Sequence, residues 1–371
     1  MNLEEQLREH VKQIIPPNEA LTDYAWDRED ALAKPRRTLG RLEECAVRLA
    51  AIQNTRAPRY EDRLIVVCAG DHGVTEEGVS PFPKDVTRQQ ITNFSQGGGT
   101  ITVLGRHAGA RVLLADVGVD FDFPPNPNIL NYKIAHGTKN MAKGPAMTRE
   151  EAVRSILAGI EIVLNQPRVD LVAAGEMGIG NTTPSSAICS LLMGLTPEEA
   201  TGIGSGLNPD QVVHKARVIK KALEINRPDP NDPLDILAKV GGLEIGTMCG
   251  VYLGGAMRRA GVIIDGFIAG AAALLAEKLA PAIRHYLFAG HCSKEKAHKA
   301  TLDYLGLNPL LDLGMWLGEG SGAAISMFIL ECAAAHFNEM KTLEEALIYD
   351  TFEMTRIKEA KKAAAEAAET N

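Results

Sequence analysis

Short apolar runs and helical patterns alternate along most of this chain. Five runs rich in Val, Ile, Leu or Ala lie at 64–69, 111–117, 170–174, 261–266 and 286–290, and a weaker one lies at 130–135. They are continuously apolar rather than alternating, which is typical of strands buried on both faces of a parallel sheet. The helical segments between them predict right-handed β-α-β crossovers. We therefore expect an α/β fold with a doubly wound, mostly parallel, Rossmann-like sheet and helices on both faces.

The two ends of the chain carry helical patterns without strands. Apolar residues recur at helical spacing between Leu3 and Ile14, and the C-terminal segment ends in an Ala/Lys/Glu-rich tail with little to bury. We expect these terminal helices to pack together. The predicted organisation is a large α/β catalytic domain over residues 31–335 and a small helical domain formed by residues 1–30 together with 336–371.

The composition restricts the class of protein. The 371 residues carry a net charge of −8 and only 5% are aromatic, which disfavours a nucleic-acid-binding surface. The longest apolar stretch, at 261–276, is interrupted by Asp265 and by glycines, so it is a poor membrane span, and residues 1–10 do not resemble a secretory signal. The six cysteines are scattered and form no C-x-x-C pair, as expected of reduced thiols in a cytoplasmic protein.

Glycine-rich loops follow apolar runs, and bare backbone of this kind favours a bound ligand. Residues 175–183 have the spacing of a P-loop, but Asn181 replaces its lysine, which disfavours a nucleoside-triphosphate site. A helix starting near Thr182 could still hold one phosphate, although a tight structural turn would give the same pattern. A second loop at 201–206 precedes a helix with Lys215, which in isolation is typical of a solvated lysine. Neither loop reads G-x-G-x-x-G, which disfavours a dinucleotide-binding oxidoreductase.

Two segments with acidic residues invite a chemical interpretation. Glu319 lies among glycines and apolar residues, so burial beside a ligand would raise its pKa towards that of a useful general base. A helix N-terminus, where the helix dipole favours a glutamate, would explain the same pattern. Asp71 and His72 follow the first apolar run, but no further residues have metal-ligand spacing. We expect a structural hydrogen-bonding role there, and no metal site.

Five segments occur together in an order known from one enzyme family. They lie at 69–101, 175–188, 201–207, 260–276 and 308–324, and they resemble the nicotinate-nucleotide–dimethylbenzimidazole phosphoribosyltransferases of cobalamin lower-ligand synthesis. The resemblance implies a pentosyltransferase that moves phosphoribose from nicotinate mononucleotide to 5,6-dimethylbenzimidazole. The products would be α-ribazole 5′-phosphate and nicotinate, with inversion at the anomeric carbon. The reaction needs neither a cofactor nor a metal ion, and the resemblance implies a homodimer that binds small molecules.

The resemblance also implies roles for individual residues. Glu319 matches the family's glutamate in L-G-E-G-[ST]-G-A, which implies that it removes the N–H proton of the attacking base. The acceptor base would be bordered by Ser80, Gln90, Met177 and Leu317, and the donor with its phosphate by Glu176, Gly178, Gly180, Asn181, Thr182, Gly204, Ser205, Gly206, Lys215 and Ser293.

Departures from the family pattern concern the acceptor. Trp316 stands where relatives often carry arginine, and the segments at 34–44 and 289–298 differ from the usual patterns. Two alternatives therefore stay open. One is a paralogue that uses another benzimidazole, adenine or a phenol as acceptor. The other is a subunit that needs a homologous partner chain for activity.

Overall fold

One parallel sheet organises the part of the chain that the computed structural model describes, residues 2–348. Its strands follow the order β3-β2-β1-β4-β5-β6, the doubly wound arrangement in which strand order reverses next to β1. All neighbouring strands are parallel. The predicted α/β fold class is confirmed. The strands are β1 Arg63–Gly70, β2 Ala110–Gly118, β3 Ile129–Asn131, β4 Leu171–Met177, β5 Gly261–Ile264 and β6 Leu287–Ala289.

The predicted apolar runs match these strands because the central strands are buried on both faces. Every residue of β1 and of β4 is buried, so neither strand shows an alternating pattern. The weaker run at 130–135 contains only the end of β3. Beyond it, the N–H groups of Tyr132 and Ile134 donate to carbonyls of β2, at 2.9 and 3.0 Å, without extending the strand.

Helices cover both faces of the sheet. On one face α3, α5 and α14 pack together and against the strands, while α11 and α12 cover the other face with α6 behind α11. None of the described helices has the length and apolar character needed to cross a bilayer. The helices are α1 Leu3–Val11, α2 Glu19–Ala31, α3 Arg41–Gln53, α4 Val86–Ser95, α5 Thr100–His107, α6 Arg149–Leu164, α7 Thr182–Met193, α8 Pro197–Ala200, α9 Pro209–Asn226, α10 Pro233–Val240, α11 Leu243–Met257, α12 Phe267–Leu279, α13 His298–Leu305 and α14 Ser321–Glu339.

Some glycines serve helix packing rather than ligand binding. A Cβ on Gly159 of α6 would lie 2.0 Å from the carbonyl oxygen of Thr247, and one on Gly250 of α11 would lie 1.9 Å from that of Ile156. The two helices approach each other this closely only because both positions lack side chains. Part of the high glycine content therefore serves helix packing rather than the predicted ligand loops.

The terminal segments meet beside the sheet. The end of α2 pairs with the segment after α14: Ala33 N–H donates to the carbonyl of Lys341, and Leu343 N–H to that of Ala31, both at 2.9 Å. Helix α1 packs on α6 instead. The division into residues 31–335 and a small helical domain stays a prediction, and its boundary falls inside α14. The predicted C-terminal tail, from residue 349 on, lies outside the described residues.

Candidate active site

A cleft of about 400 Å³ opens at the carboxyl ends of β4, β5 and β6. Ligands of doubly wound sheets bind at this edge. Glu176 and Met177 end β4 and the loop 178–182 follows it, while residues 266–268 follow β5 and Ser293 follows β6. The glycine turn at 316–319 and the second glycine loop at 204–207 complete the wall. The cleft thus collects segments from widely separated parts of the chain.

Glu319 lines this cleft in an unusual backbone conformation. Its φ is +62°, between Gly318 at +86° and Gly320 at +88°. A left-handed conformation costs a non-glycine residue on the order of 1 kcal/mol, so the surrounding structure must hold it. The side chain is 7% exposed, and its Oε2 atom has no hydrogen-bond partner in the part of the chain described. The residue does precede α14, as the helix-terminus interpretation requires, yet the side chain lines the cleft.

Two glycines allow Glu319 to lie against Glu176. A Cβ on Gly175 would lie 2.2 Å from the Glu319 carbonyl oxygen, and one on Gly318 would lie 2.3 Å from Oε1 of Glu176. The backbone N–H of Glu319 donates to that same Oε1 atom at 3.2 Å. The Glu319 backbone and the Glu176 carboxylate are therefore brought together by positions where no side chain fits.

Burial raises the pKa of both carboxyl groups towards neutral pH. Desolvation raises the pKa of Glu319 to about 7, opposed by the backbone N–H of Ile101 and reinforced by the negative charge of Asp265. Desolvation likewise raises the pKa of Glu176 to about 7, against hydrogen bonds from Asn181 and from the Glu319 backbone. A general base with a pKa near the working pH is effective, because it is both available as carboxylate and basic enough to accept a proton.

Lys215 is the buried cation of the cleft. It is 1% exposed, which excludes the solvated lysine of the sequence interpretation. Its Nζ donates to Oγ1 of Thr182, the first residue of α7, at 2.5 Å. Desolvation lowers its pKa to about 8, and the charge of Glu295 opposes that shift. An anion bound here would complete the coordination of the ammonium group.

The glycine loops present N–H groups to the same point. Helix α7 begins at Thr182, as expected, and α9 carries Lys215 behind the second loop. Of the first loop's N–H groups, Ile179 donates to Thr87 and Asn181 to the carbonyl of Gly178. Within residues 2–348, those of Gly180, Thr182 and Ser205 have no acceptor. These donors, next to Lys215, suit a phosphate group.

Comparison with known proteins decides the family. A family profile described as phosphoribosyltransferase matches residues 14–348. The nicotinate-nucleotide–dimethylbenzimidazole phosphoribosyltransferase of Desulforudis audaxviator is 51% identical over 342 residues, which are 92% of this chain and 97% of that protein. The enzyme of that name from Geotalea uraniireducens is 49% identical over 349 residues, 93% and 98% of the two chains. The chain belongs to this phosphoribosyltransferase family.

A solved structure of the family shares the fold. CobT from Thermus thermophilus superimposes with a TM-score of 0.86 at 44% sequence identity, over 89% of this chain and 99% of that one. The predicted family and the predicted enzyme class are confirmed.

The structure brings nearly all predicted site residues of this phosphoribosyltransferase together. Gly206 is the exception, since it does not line the cleft and its N–H donates to the carbonyl of Ile203 within the second loop. The residues that do line the cleft are Ser80, Gln90, Glu176, Met177, Gly178, Gly180, Asn181, Thr182, Gly204, Ser205, Lys215, Ser293, Leu317 and Glu319. Their individual roles stay predictions.

Asp71 and His72 have structural partners, as expected. Oδ2 of Asp71 accepts the N–H of Asp120 at 2.8 Å, and Nε2 of His72 lies 2.7 Å from Oε1 of Glu244, with both side chains buried. His72 packs directly behind Gly178 of the first glycine loop. No cluster of His, Cys, Asp or Glu within residues 2–348 is arranged to hold a metal ion.

Sequence reasoning missed two acidic residues beside the cleft. Asp265 follows β5 directly and is 2% exposed. It is the one charged residue of the apolar run at 261–266, a signal that could have identified it. Glu295 lines the cleft and is 6% exposed. Burial raises its pKa, against the charge of Lys215 and the backbone N–H of Gly204. It lies in the sequence Lys-Glu-Lys, which looks like a solvated surface segment and gives no signal of burial.

A second cavity, of about 520 Å³, shares no lining residue with the cleft. It lies between α3 and the segments on either side of β6. Two of its arginines are satisfied by backbone carbonyls: Arg41 donates to that of Asn308 at 2.7 Å and Arg48 to that of Leu287 at 2.5 Å. Because these cations are already partnered and no ligand loop borders it, this cavity offers no chemistry comparable to that of the cleft.

Proposed function

We propose that this phosphoribosyltransferase moves phosphoribose from nicotinate mononucleotide to 5,6-dimethylbenzimidazole, for assembly of the cobalamin nucleotide loop. The observation that carries the proposal is the Glu319 carboxylate, desolvated and with an unpartnered oxygen, in one cleft with Lys215 and two glycine loops. The names of the relatives from Desulforudis audaxviator and Geotalea uraniireducens support the same donor and acceptor.

The reaction is balanced by one proton transfer. A ring nitrogen of the benzimidazole attacks the anomeric carbon while the bond from that carbon to the pyridinium nitrogen breaks. The bonding electron pair returns to the pyridine ring, which leaves as neutral heterocycle and needs no acid. The attacking ring becomes cationic unless its other nitrogen loses the N–H proton, and Glu319 accepts that proton. Attack on the face opposite the leaving group converts a β-linked donor into an α-linked product.

The donor would be anchored in the cleft by its phosphate group. Lys215 and the N–H groups of Gly180, Thr182 and Ser205 would hold it, while Glu176 and Ser293 border the ribose and the nicotinate. Held in this way, the anomeric carbon and the acceptor nitrogen meet in one orientation. Such positioning removes much of the entropic barrier of a two-substrate reaction.

A flat apolar acceptor fits the outer part of the cleft. Met177 forms the inner wall, and Phe82, Trp316 and Leu317 stand about half-exposed at its mouth. Nζ of Lys294 lies 5.0 Å from the centroid of the Trp316 ring and holds it in place. Half-exposed apolar side chains around a cleft favour a planar ligand that covers them.

We also propose a cytoplasmic homodimer. All six cysteines are free thiols, which suits a reducing compartment. Val103 on α5 and Phe328 on α14 are 36% and 58% exposed on two helices that pack side by side, a surface that a second copy could cover. Light scattering on the purified protein tests this state, and a mass of one chain at micromolar concentration would contradict it.

The proposed reaction is tested with defined substrates. Purified protein, nicotinate mononucleotide and 5,6-dimethylbenzimidazole should release nicotinate in the presence of EDTA, and the product's anomeric proton should show the α configuration by NMR. Mixtures without the base should release none. A β-linked product, or release of nicotinate at the same rate without a base, would contradict the proposal.

An acceptor series distinguishes the close alternatives. With the donor fixed, 5,6-dimethylbenzimidazole should give the highest kcat/KM among benzimidazoles, adenine and phenols, measured by mass spectrometry of the products. A higher value for adenine or a phenol would identify a paralogue with another acceptor. Activity that appears only with a co-purified homologous chain would identify a partner-dependent subunit.

A further inference from the structure

Asp265 caps the helix that begins beside Glu319. It lies directly after β5 and is 2% exposed. Its Oδ2 atom accepts the N–H of Gly320 at 3.0 Å, and its Oδ1 atom accepts that of Ala323 at 2.9 Å. These N–H groups lie at the start of α14, where the helix itself has no carbonyl for them. A carboxylate from another element therefore takes the place of an N-cap side chain.

The turn that this cap secures is not favoured by local conformation. Gly318, Glu319 and Gly320 all have positive φ, and only two of them are glycine. The contacts that fix the turn are few. Glu176 accepts the N–H of Glu319, the hydroxyl of Ser321 donates to the carbonyl of Gly318 at 2.7 Å, and Asp265 holds Gly320. Of these partners, only Asp265 connects the turn to β5.

We propose that Asp265 is a positioning residue for phosphoribosyl transfer: its carboxylate holds the turn of Gly318, Glu319 and Gly320 so that the Glu319 side chain faces the bound acceptor. The proposal rests on the proposed role of Glu319 as the base. Asp265 itself does not line the cleft, so it acts through Glu319 rather than on substrate.

The charge of Asp265 has a second consequence for the base. Its negative charge raises the pKa of both Glu319 and Glu176. Around Asp265 itself, Nε2 of His291 lies 3.7 Å from Oδ1, and Tyr252 approaches from α11. Burial raises the pKa of Asp265, while His291 and the N–H groups of α14 oppose that shift. As long as Asp265 is ionised, Glu319 binds its proton more tightly.

Asp265→Asn tests the positioning of the turn and the effect of the charge in a side chain of nearly the same shape, which should still allow folding. The amide keeps one acceptor oxygen but turns an N–H group towards a backbone N–H, so one cap bond is lost together with the charge. We expect kcat for nicotinate release to fall by about 10- to 100-fold, with the KM for nicotinate mononucleotide within about twofold, because the phosphate loops are untouched. The acid limb of the kcat–pH profile should move down by about one pH unit, since a neighbouring negative charge is gone.

Asp170→Asn is the matched control. Asp170 is also buried and accepts a backbone N–H, that of Asp62 at 3.0 Å, but it lies at the amino end of β4, on the opposite edge of the sheet. This variant should lose stability without moving the acid limb. Should Asp265→Asn fail to fold, Asp265→Ser retains a capping hydroxyl without the charge and should show the same shift.

The outcomes separate this proposal from the proposed function. An unmoved acid limb in Asp265→Asn, with a kcat loss no larger than that of Asp170→Asn, would overturn the positioning role. If Glu319→Gln also kept full activity, the assignment of the base itself would fail. If Glu319→Gln were inactive, only the role of Asp265 would be withdrawn.

Discussion

Two buried pairs of glutamates in this molecule differ in what neutralises them. Glu29 and Glu43, between α2, α3 and α14, are fully buried, and Nζ of Lys34 lies 3.2 Å from the first and 2.8 Å from the second. Glu176 and Glu319 in the cleft have no ion pair with any lysine or arginine among residues 2–348. Their partners are an amide side chain and backbone N–H groups.

The difference separates a stabilising arrangement from a reactive one. A buried carboxylate that contacts a cation ties neighbouring helices together. A buried carboxylate without one has a raised pKa and is destabilised when ionised. The first pair therefore supports the fold where the terminal segments meet, and the second lowers stability in exchange for a base that titrates near neutrality.

Of the variants that test this comparison, Glu319→Gln should lose the most activity. The change keeps the shape of the side chain but removes the proton acceptor, so kcat should fall by about 10²- to 10⁴-fold. Stability should not fall. The folded-state pKa of about 7 lies above the ordinary 4.5, so the wild-type carboxylate contributes least at high pH. The variant should therefore match wild type near pH 4 and exceed it increasingly above about pH 5, as measured by urea unfolding.

Glu277→Gln is the control for that variant. Glu277 lies on α12, is 9% exposed and pairs with Arg284 at 3.0 Å, outside the cleft. It should lose some stability and keep its activity. If Glu319→Gln kept more than about a tenth of the wild-type kcat, Glu319 would not be the base.

Lys34→Met should lower stability and keep activity, the reverse of Glu319→Gln. Removing the cation leaves Glu29 with only the His336 ring and Glu43 with only a backbone N–H. The free energy of unfolding should therefore fall by about 3–5 kcal/mol. Activity per folded molecule should stay close to wild type. The exposed pair of Lys12 with Glu9 is the control, where Lys12→Met should change stability by less than about 1 kcal/mol. Equal losses of unfolding free energy in the two variants would show that the buried ion pairs of Lys34 stabilise the protein no more than the exposed pair of Lys12.

Lys215→Met tests the buried lysine of the cleft, which we expect to bind the donor's phosphate. The change should raise the KM for nicotinate mononucleotide by about 10- to 100-fold, the value of a hydrogen bond to a charged group, with a smaller effect on kcat. Lys220→Met, at an exposed position of the same helix, should leave both constants unchanged. If the two variants bound the donor equally well, the phosphate would not lie at Lys215.

The sheet was predictable because burial on both faces leaves a direct trace in the sequence. Continuous apolar runs marked β1 and β4. The run at β3 was the weakest because no residue of this strand is fully buried, whereas all three residues of the equally short β6 are. The glycine context of Glu319 left a general base and a helix N-terminus open, and only the family resemblance implied the base. The burial of Lys215 was not predictable, since a lysine on a polar helix gives no local signal of what packs over it. The hydrogen bonds of Asp265 could not be predicted, because they run to Gly320 and Ala323, far along the chain.

The dependence of kcat on pH tests the central claim most directly. The claim is that a desolvated, unpaired Glu319 must be ionised to accept the proton. For the wild-type protein, kcat for nicotinate release should rise by about tenfold per pH unit on the acid side and level off above a midpoint near pH 7. A kcat that stays constant from about pH 5 to about pH 8 would contradict the account.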